Sequence, residues 1–233
     1  MTQKGTKERL LDAAEQLFSD QGFSATSVRA ITQTADVNLA ALNYHFGSKE
    51  GLIDAVFSRR IGPLNQERLR LLQQLEDQEP KDDPTLEEIL EAFLTPALRL
   101  SRSGAGGEQF MRLMGRAHNE SRDFFRKRLA KQFFPVFQRF EGAFHRALPQ
   151  ASSQDLFWGI HFVVGAMAHT MAHSLNMLED IEAMQEEDSS QLFKELGKAA
   201  DSDDVDTVLA RLIRFSAAGL RAEASSGPDG GVN

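Results

Sequence analysis

Cysteine is absent from this chain of 233 residues, which excludes a disulfide framework and thiolate chemistry and fits a reducing compartment. Long apolar runs are also missing. The longest, Phe162 to Ala172, is interrupted by His169 and is too short to span a bilayer. Met1 to Arg9 lack the apolar core of a signal peptide, so the expected location is cytoplasmic. No stretch alternates β-branched and polar residues, and no Asn-Gly or Asp-Gly turn joins two apolar segments, which argues against sheet. No Gly-x-Ser-x-Gly turn or similar nucleophile arrangement occurs. The pairs His169/His173 and Glu141/His145 have the i, i+4 spacing of metal ligands, but no His-Glu-x-x-His or paired Glu-x-x-His pattern accompanies them. The expectation is no catalytic residue, no metal and no cofactor, with a helical metalloenzyme as a weak rival. Tyrosine and tryptophan occur once each against seventeen phenylalanines.

What is present is helix. With 41% hydrophobic residues the chain can bury a sizeable core, and the fold is expected to be all-α. Apolar periodicity, caps and breakers predict helices over about 6–21, 27–34 and 38–44, and a fourth capped by Ser48 that carries Leu52, Ile53, Val56 and Phe57. Gly62-Pro63 lies inside that fourth pattern, and the missing proline amide predicts a kink there. Further helices are expected from Thr85, over 108–118, 121–148, 153–184 and 205–222, with a short one near 191–198. The organisation expected is a head at 1–47, a connecting helix at 48–63, a body at 64–224 and a disordered tail at 225–233.

Net charge is −8, against the usual balance of a nucleic-acid protein. Residues 1–60 nevertheless hold seven basic and seven acidic side chains, so the whole excess of acid lies in the body. Residues 26–49 carry Arg29 and Lys49 against Asp36 alone.

Two short helices separated by a tight turn at Asp36 form the pattern of a DNA-binding helix-turn-helix. Val28, Ile31 and Ala35 face one way in the first, and Val37, Leu42 and Phe46 restart the apolar series in the second. The opposite side of the second presents Asn38, Leu39, Ala40, Ala41 and Asn43. Asn43 suits a paired hydrogen bond to adenine, and the alanine methyls suit thymine methyls. The run Asn43-Tyr44-His45-Phe46-Gly47-Ser48-Lys49, followed by Gly51-Leu52-Ile53 and preceded by Leu10-Leu11-Asp12-Ala13-Ala14-Glu15-Gln16-Leu17-Phe18, resembles the TetR family of transcriptional repressors. That resemblance implies that Tyr44, His45 and Lys49, with Thr26, Ser27 and Arg29, meet DNA phosphates, and that Arg29 also reaches a base edge. A partly buried role for Tyr44 and His45 under the recognition helix is the alternative. Two recognition helices of a homodimer would enter successive major grooves of a palindrome about 34–36 Å apart.

In the body, helix 153–184 is apolar on more than one face. One stripe is Phe157, Ile160, Val164, Met167 or Ala168, and Met171; another is Trp158, Phe162, Gly165, His169 and His173. The dimer seam is expected from Val164, Ala168, Met171, Leu209, Leu212 and Ser216, in line with the family's pairing of its last two long helices as a four-helix bundle. The other face is expected to line a ligand cavity with Phe110, Met111, Met114, Phe133, Phe134, Phe137, Trp158, His161, Phe162 and His169, an adaptable apolar lining. The segments Phe110 to Gly115, Leu156 to Ala166 and Phe57 to Pro63 are similar to the PsrA-like branch of the family, which implies release of DNA by a long-chain fatty acid or acyl-CoA. Arg112, Arg116 or a histidine would then meet the carboxylate. A regulator of efflux or catabolism that senses a drug-like or aromatic compound is the alternative.

Overall fold

A computed structural model describes residues 5–78, 83–118, 122–173 and 204–225. Among them are nine α-helices and no strand: α1 (Thr6–Gln21), α2 (Val28–Thr34), α3 (Leu39–Phe46), α4 (Lys49–Glu76), α5 (Leu86–Ser101), α6 (Ala105–His118), α7 (Arg122–Ala147), α8 (Ser153–His173) and α9 (Val205–Ser225). The all-α expectation holds. The predicted helix at 191–198, the stretch 174–184 and the tail beyond Ser225 lie outside the described residues. No helix of the described residues is long and apolar enough to cross a membrane, and among them no three His, Asp or Glu side chains come together as a metal site.

The helix ends follow local chemistry. Ser27 Oγ accepts from the Ala30 amide at 3.1 Å, Asn38 Oδ1 from the Ala41 amide at 2.8 Å, and Ser48 Oγ from the Gly51 amide at 3.1 Å. Thr85 and Glu88 close a reciprocal capping box at the start of α5. Gly47 ends α3 with φ of 73°, in the left-handed region that a side chain disfavours. Asp36 takes φ of 51° in the α2–α3 turn, as the sequence indicates. Helix α4 runs without a break through Gly62-Pro63, and α6 begins at Ala105, three residues earlier than expected.

The chain forms two compact units. The first combines residues 1–67 with 103–136, so the middle of the chain packs with the head and does not belong wholly to the body. Its core is Leu10, Ala14, Phe18, Ile31, Leu42, Leu52, Val56 and Phe57, each at most 1% exposed. Phe18, Phe23 and Phe57 lie in a row of tilted rings with centroids 5.0 and 5.5 Å apart, and each buried ring stabilises by about 1.5–3 kcal/mol. Helix α1 packs on α2, α3 and α6.

An ionic cluster underlies this core. Glu15 on α1 is fully buried, and its carboxylate takes a hydrogen bond from Arg59 and one from Arg60 Nε at 2.6 Å. Arg59 also reaches Asp12 at 2.7 Å. Burial disfavours the Arg59 charge, but the bonds to Glu15 and Asp12 outweigh it and hold its pKa above the ordinary value. A second set of polar contacts fixes α7 to α4. Arg128 donates to the Glu50 carbonyl at 3.0 Å and to Asp54 at 2.6 Å, Gln132 donates to Ser58 Oγ at 2.7 Å, and Asn65 donates to the Gln132 carbonyl at 2.9 Å.

The second unit combines residues 68–102 with 137–233. Helix α9 packs on α5 and α8, burying Leu209, Leu212, Ser216, Ala217, Leu220 and Ala224. A Cβ on Gly159 would lie 2.5 Å from Leu220 Cδ2, so glycine at this position admits the close approach of α9 to α8. Phe93, Phe140 and Phe144 are buried in the same unit, with Phe93 5.1 Å from Phe140 and 6.1 Å from Phe137. Arg221 forks onto Glu87 with two bonds of 2.7 Å.

Candidate nucleic-acid interface

Helices α2 and α3 pack on each other and on α1, which holds α3 by its single fully buried residue, Leu42. The rest of α3 is turned outward or half-buried. Leu39 is 54% exposed and Tyr44 86%, and Asn38, Ala40, Asn43 and His45 are exposed as well. Ala41 and Lys49 are half-buried, and Ser27 and Arg29 on the α2 side are exposed. Tyr44 and His45 are therefore not core residues; their rings meet edge to face at 5.1 Å on the surface.

Thr26 is a correction. It is 1% exposed, and its hydroxyl donates inward to the Gly22 carbonyl at 2.7 Å, with the Leu17 carbonyl at 3.2 Å. The hydroxyl closes the α1–α2 turn, so this side chain is not presented to a phosphate. Ser27, next in sequence, caps α2.

Electrostatically the outer surface is mild. The one acidic side chain between residues 26 and 49, Asp36, has Arg9 beside it, with Arg9 Nη1 3.2 Å from the Asp36 carbonyl and 3.8 Å from its carboxylate. Beyond the cap, Glu50 is held below the usual carboxylate range by its own backbone amide and by the Ser48 hydroxyl, which keeps it ionised at the N-terminus of α4. What α2 and α3 offer to a partner is hydroxyl, amide, imidazole, phenol and one cation, Arg29, on a narrow helix pair, with Lys49 following at the start of α4. That set suits a phosphate backbone and the edges of bases.

The body residues are distributed differently from the expectation. Phe110, Met111, Met114, Phe133 and the 60% exposed Phe134 belong to the first unit, and Phe137 to the second. On α8 the stripes are distributed otherwise than expected. Its inward stripe is Leu156, Gly159, Val163, Met167 and Met171. Trp158, His161, Phe162 and His169, expected to line a cavity, lie on the exposed side with Phe157. Met171, Leu209, Leu212 and Ser216, expected at a dimer seam, are 4–7% exposed within the single chain. Of the expected seam only Ala168, exposed, and Val164, half-buried, keep access to solvent. The cause is that α8 and α9 first satisfy each other and α5, using their small and aliphatic stripe and leaving the aromatic one outside. Phe157 63%, Trp158 46%, Phe162 59% and Phe215 73% exposed are far more apolar surface than two helices normally present to water.

Arg68 was not legible as a site residue. It is 2% exposed in the second unit, with its Nε donating to the Phe93 carbonyl at 2.8 Å, its guanidinium 4.3 Å from the centre of the Phe93 ring and Nη2 3.6 Å from the Met167 sulfur. Burial pushes its pKa down to about 10, which leaves it cationic at neutral pH. A signal existed: Leu64, Arg68 and Leu72 are four apart on one buried stripe.

Comparison with known proteins agrees with this geometry. The family model "Bacterial regulatory proteins, tetR family" matches residues 10–56, and "Tetracyclin repressor-like, C-terminal domain" matches residues 91–196. UidR of Escherichia coli (strain K12), an HTH-type transcriptional regulator, is 41% identical over 51 residues, 22% of this chain and 26% of that protein. BdcR of Escherichia coli (strain K12), an HTH-type transcriptional repressor, is 34% identical over 97 residues, 42% of this chain and 46% of its own. The chain thus matches between about a quarter and a half of the length of these curated relatives. Among solved structures, the fatty acid degradation regulator FadR from Bacillus halodurans superposes with a TM-score of 0.64 over 95% of this chain and 99% of that one, at 12% identity. With both parts of the chain matched by the family's own models, the chain belongs to the TetR family of transcriptional regulators.

Proposed function

We propose that the protein is a cytoplasmic repressor that binds palindromic operator DNA as a homodimer and lets go of it when an acidic apolar molecule, a long-chain fatty acid or acyl-CoA, enters the second unit. The observation that carries the DNA half of this reading is the exposure of Leu39, Ala40, Asn43, Tyr44 and His45 on a helix held from behind by Leu42. Asn38, Ala41, Ser27, Arg29 and Lys49 complete the surface, with Lys49, Tyr44 and His45 on phosphates and Asn43 on a base edge.

Dimerisation through the outer faces of α8 and α9 is supported by Phe157, Trp158, Phe162 and Phe215, which stay 46–73% exposed among the described residues. A second copy gives this face an isologous partner, as closed dimers require. For the effector, support comes from the Phe93 ring against the Arg68 guanidinium, with the Phe137 and Phe140 rings beside Phe93. Rings and a thioether accommodate an alkyl chain, and a buried cation favours an acid over a cationic drug.

The mechanism is a population shift. Effector binding favours a conformation in which the two recognition helices no longer match successive grooves, and a coupling of about 2–3 kcal/mol weakens DNA binding roughly 30- to 150-fold. The test is fluorescence anisotropy of labelled DNA from the protein's own upstream region, titrated with oleate, oleoyl-CoA and a cationic dye. Release by oleate or its CoA ester at micromolar concentration is expected. Release by the dye alone would transfer the protein to the drug-sensing reading.

A further inference from the structure

We infer that the recognition helix reads its operator through the C5 methyl group of thymine, and that Leu39 is the residue that meets it. This rests on the proposal that α3 is the base-reading helix. Leu39 is the first residue of α3 and is 54% exposed, whereas Leu10, Leu11, Leu42 and Leu52 of the same unit are 0–4% exposed. Apart from the half-buried Leu17, the described leucines of the unit are buried, and Leu39 is displayed. Ala40, the next residue, is exposed too.

The polar alternatives in the first turn are already committed or missing. Asn38 Oδ1 takes the Ala41 amide at 2.8 Å, which turns this side chain back onto its own helix as a cap and away from the paired contact with adenine. Helix α3 contains no lysine or arginine, so the common bidentate contact to guanine is unavailable from it. The N-terminal residues of a recognition helix are the ones brought to the base edges. In the major groove the one apolar group that distinguishes a base is the thymine methyl. An exposed leucine followed by an exposed alanine fits that group and no other feature of the groove floor.

Taking one methyl out of water against an apolar side chain is worth about a fourfold change in affinity. Two half-sites of one dimer make that about fifteenfold. The experiment uses a duplex recovered by the wild-type protein from a random-sequence pool and copied with either dTTP or dUTP, so that the two products differ only in the methyl groups. The wild-type protein is expected to bind the uracil duplex about fifteenfold more weakly, and Leu39→Ala to bind the two within twofold of each other. Single thymine-to-uracil replacements, which need no protein variant, should localise the loss to one position in each half-site. Equal binding of the two duplexes by the wild type overturns the inference, and a full uracil penalty retained by Leu39→Ala overturns the assignment to Leu39. Failure to recover any duplex from the pool would instead refute the reading of α3 as a DNA-binding helix.

Discussion

Removing the Glu15 carboxylate should unfold the protein's first unit more readily than any change to an exposed ion pair. Glu15 is fully buried and holds both Arg59 and Arg60, while their own side chains are 23% and 27% exposed. Breaking a buried pair by deleting one partner costs about 3–5 kcal/mol, because the other charge is left unmatched in the interior. Arg59 keeps Asp12 at 2.7 Å and both guanidiniums retain some water, so Glu15→Ala belongs at the lower end, about 3 kcal/mol. At about 2–4 °C per kcal/mol for a chain of this size, the melting temperature should fall by about 6–12 °C. Thermal and urea unfolding followed by far-ultraviolet circular dichroism measures this directly. A cost below about 1 kcal/mol, the range of exposed pairs, would mean that Glu15 behaves as a surface partner and not as a buried one.

Three further outcomes follow from particular contacts. A Cβ on Gly51 would sit 2.1 Å from the Phe46 carbonyl oxygen, so Gly51→Ala must displace the end of α3; DNA binding is expected to fall at least tenfold while far-ultraviolet dichroism stays helical, and unchanged binding would show that the turn yields. Burial raises the Glu76 pKa, but hydrogen bonds and charge from Arg139 and Arg146 outweigh it and hold the carboxyl below its usual range. Its contribution is therefore complete above the unfolded-state pKa of about 4.3 and is lost as pH falls through the folded value, so Glu76→Gln should flatten the loss of melting temperature between about pH 5 and pH 3. Phe162→Asp places a charge on the exposed α8 face, and sedimentation should show a monomer at concentrations where the wild type is dimeric; the single tryptophan, Trp158, should fluoresce further to the red in that variant.

The head was legible because its determinants are local. Ser27, Asn38 and Ser48 cap through side chains within three residues, and the turn at Asp36 needs no distant partner. Helix α8 was not legible in the same way. Its apolar residues run around most of the circumference, so periodicity alone leaves open which stripe meets α9 and which stays outside. Sequence pattern assigns no role to Glu15 or Arg68, although each stands four residues from buried neighbours, Glu15 with Leu11 and Ser19, Arg68 with Leu64 and Leu72. Charge at such a position is costly enough that it reports a partner or a task. The packing of residues 103–136 with the head depends on contacts made 50 to 90 residues apart, such as Ser19 Oγ to the Gln109 carbonyl at 3.4 Å, which local pattern does not encode.

Tyr44 and His45 decide whether α3 is the surface proposed to meet DNA, because both rings are exposed and neither supports the core. The measurement is the anisotropy of a labelled upstream duplex with wild-type protein and with Tyr44→Ala/His45→Ala, each checked for its melting temperature. An unchanged melting temperature and at least tenfold weaker binding by the double variant are expected. Equal binding by the two proteins would contradict that role of α3.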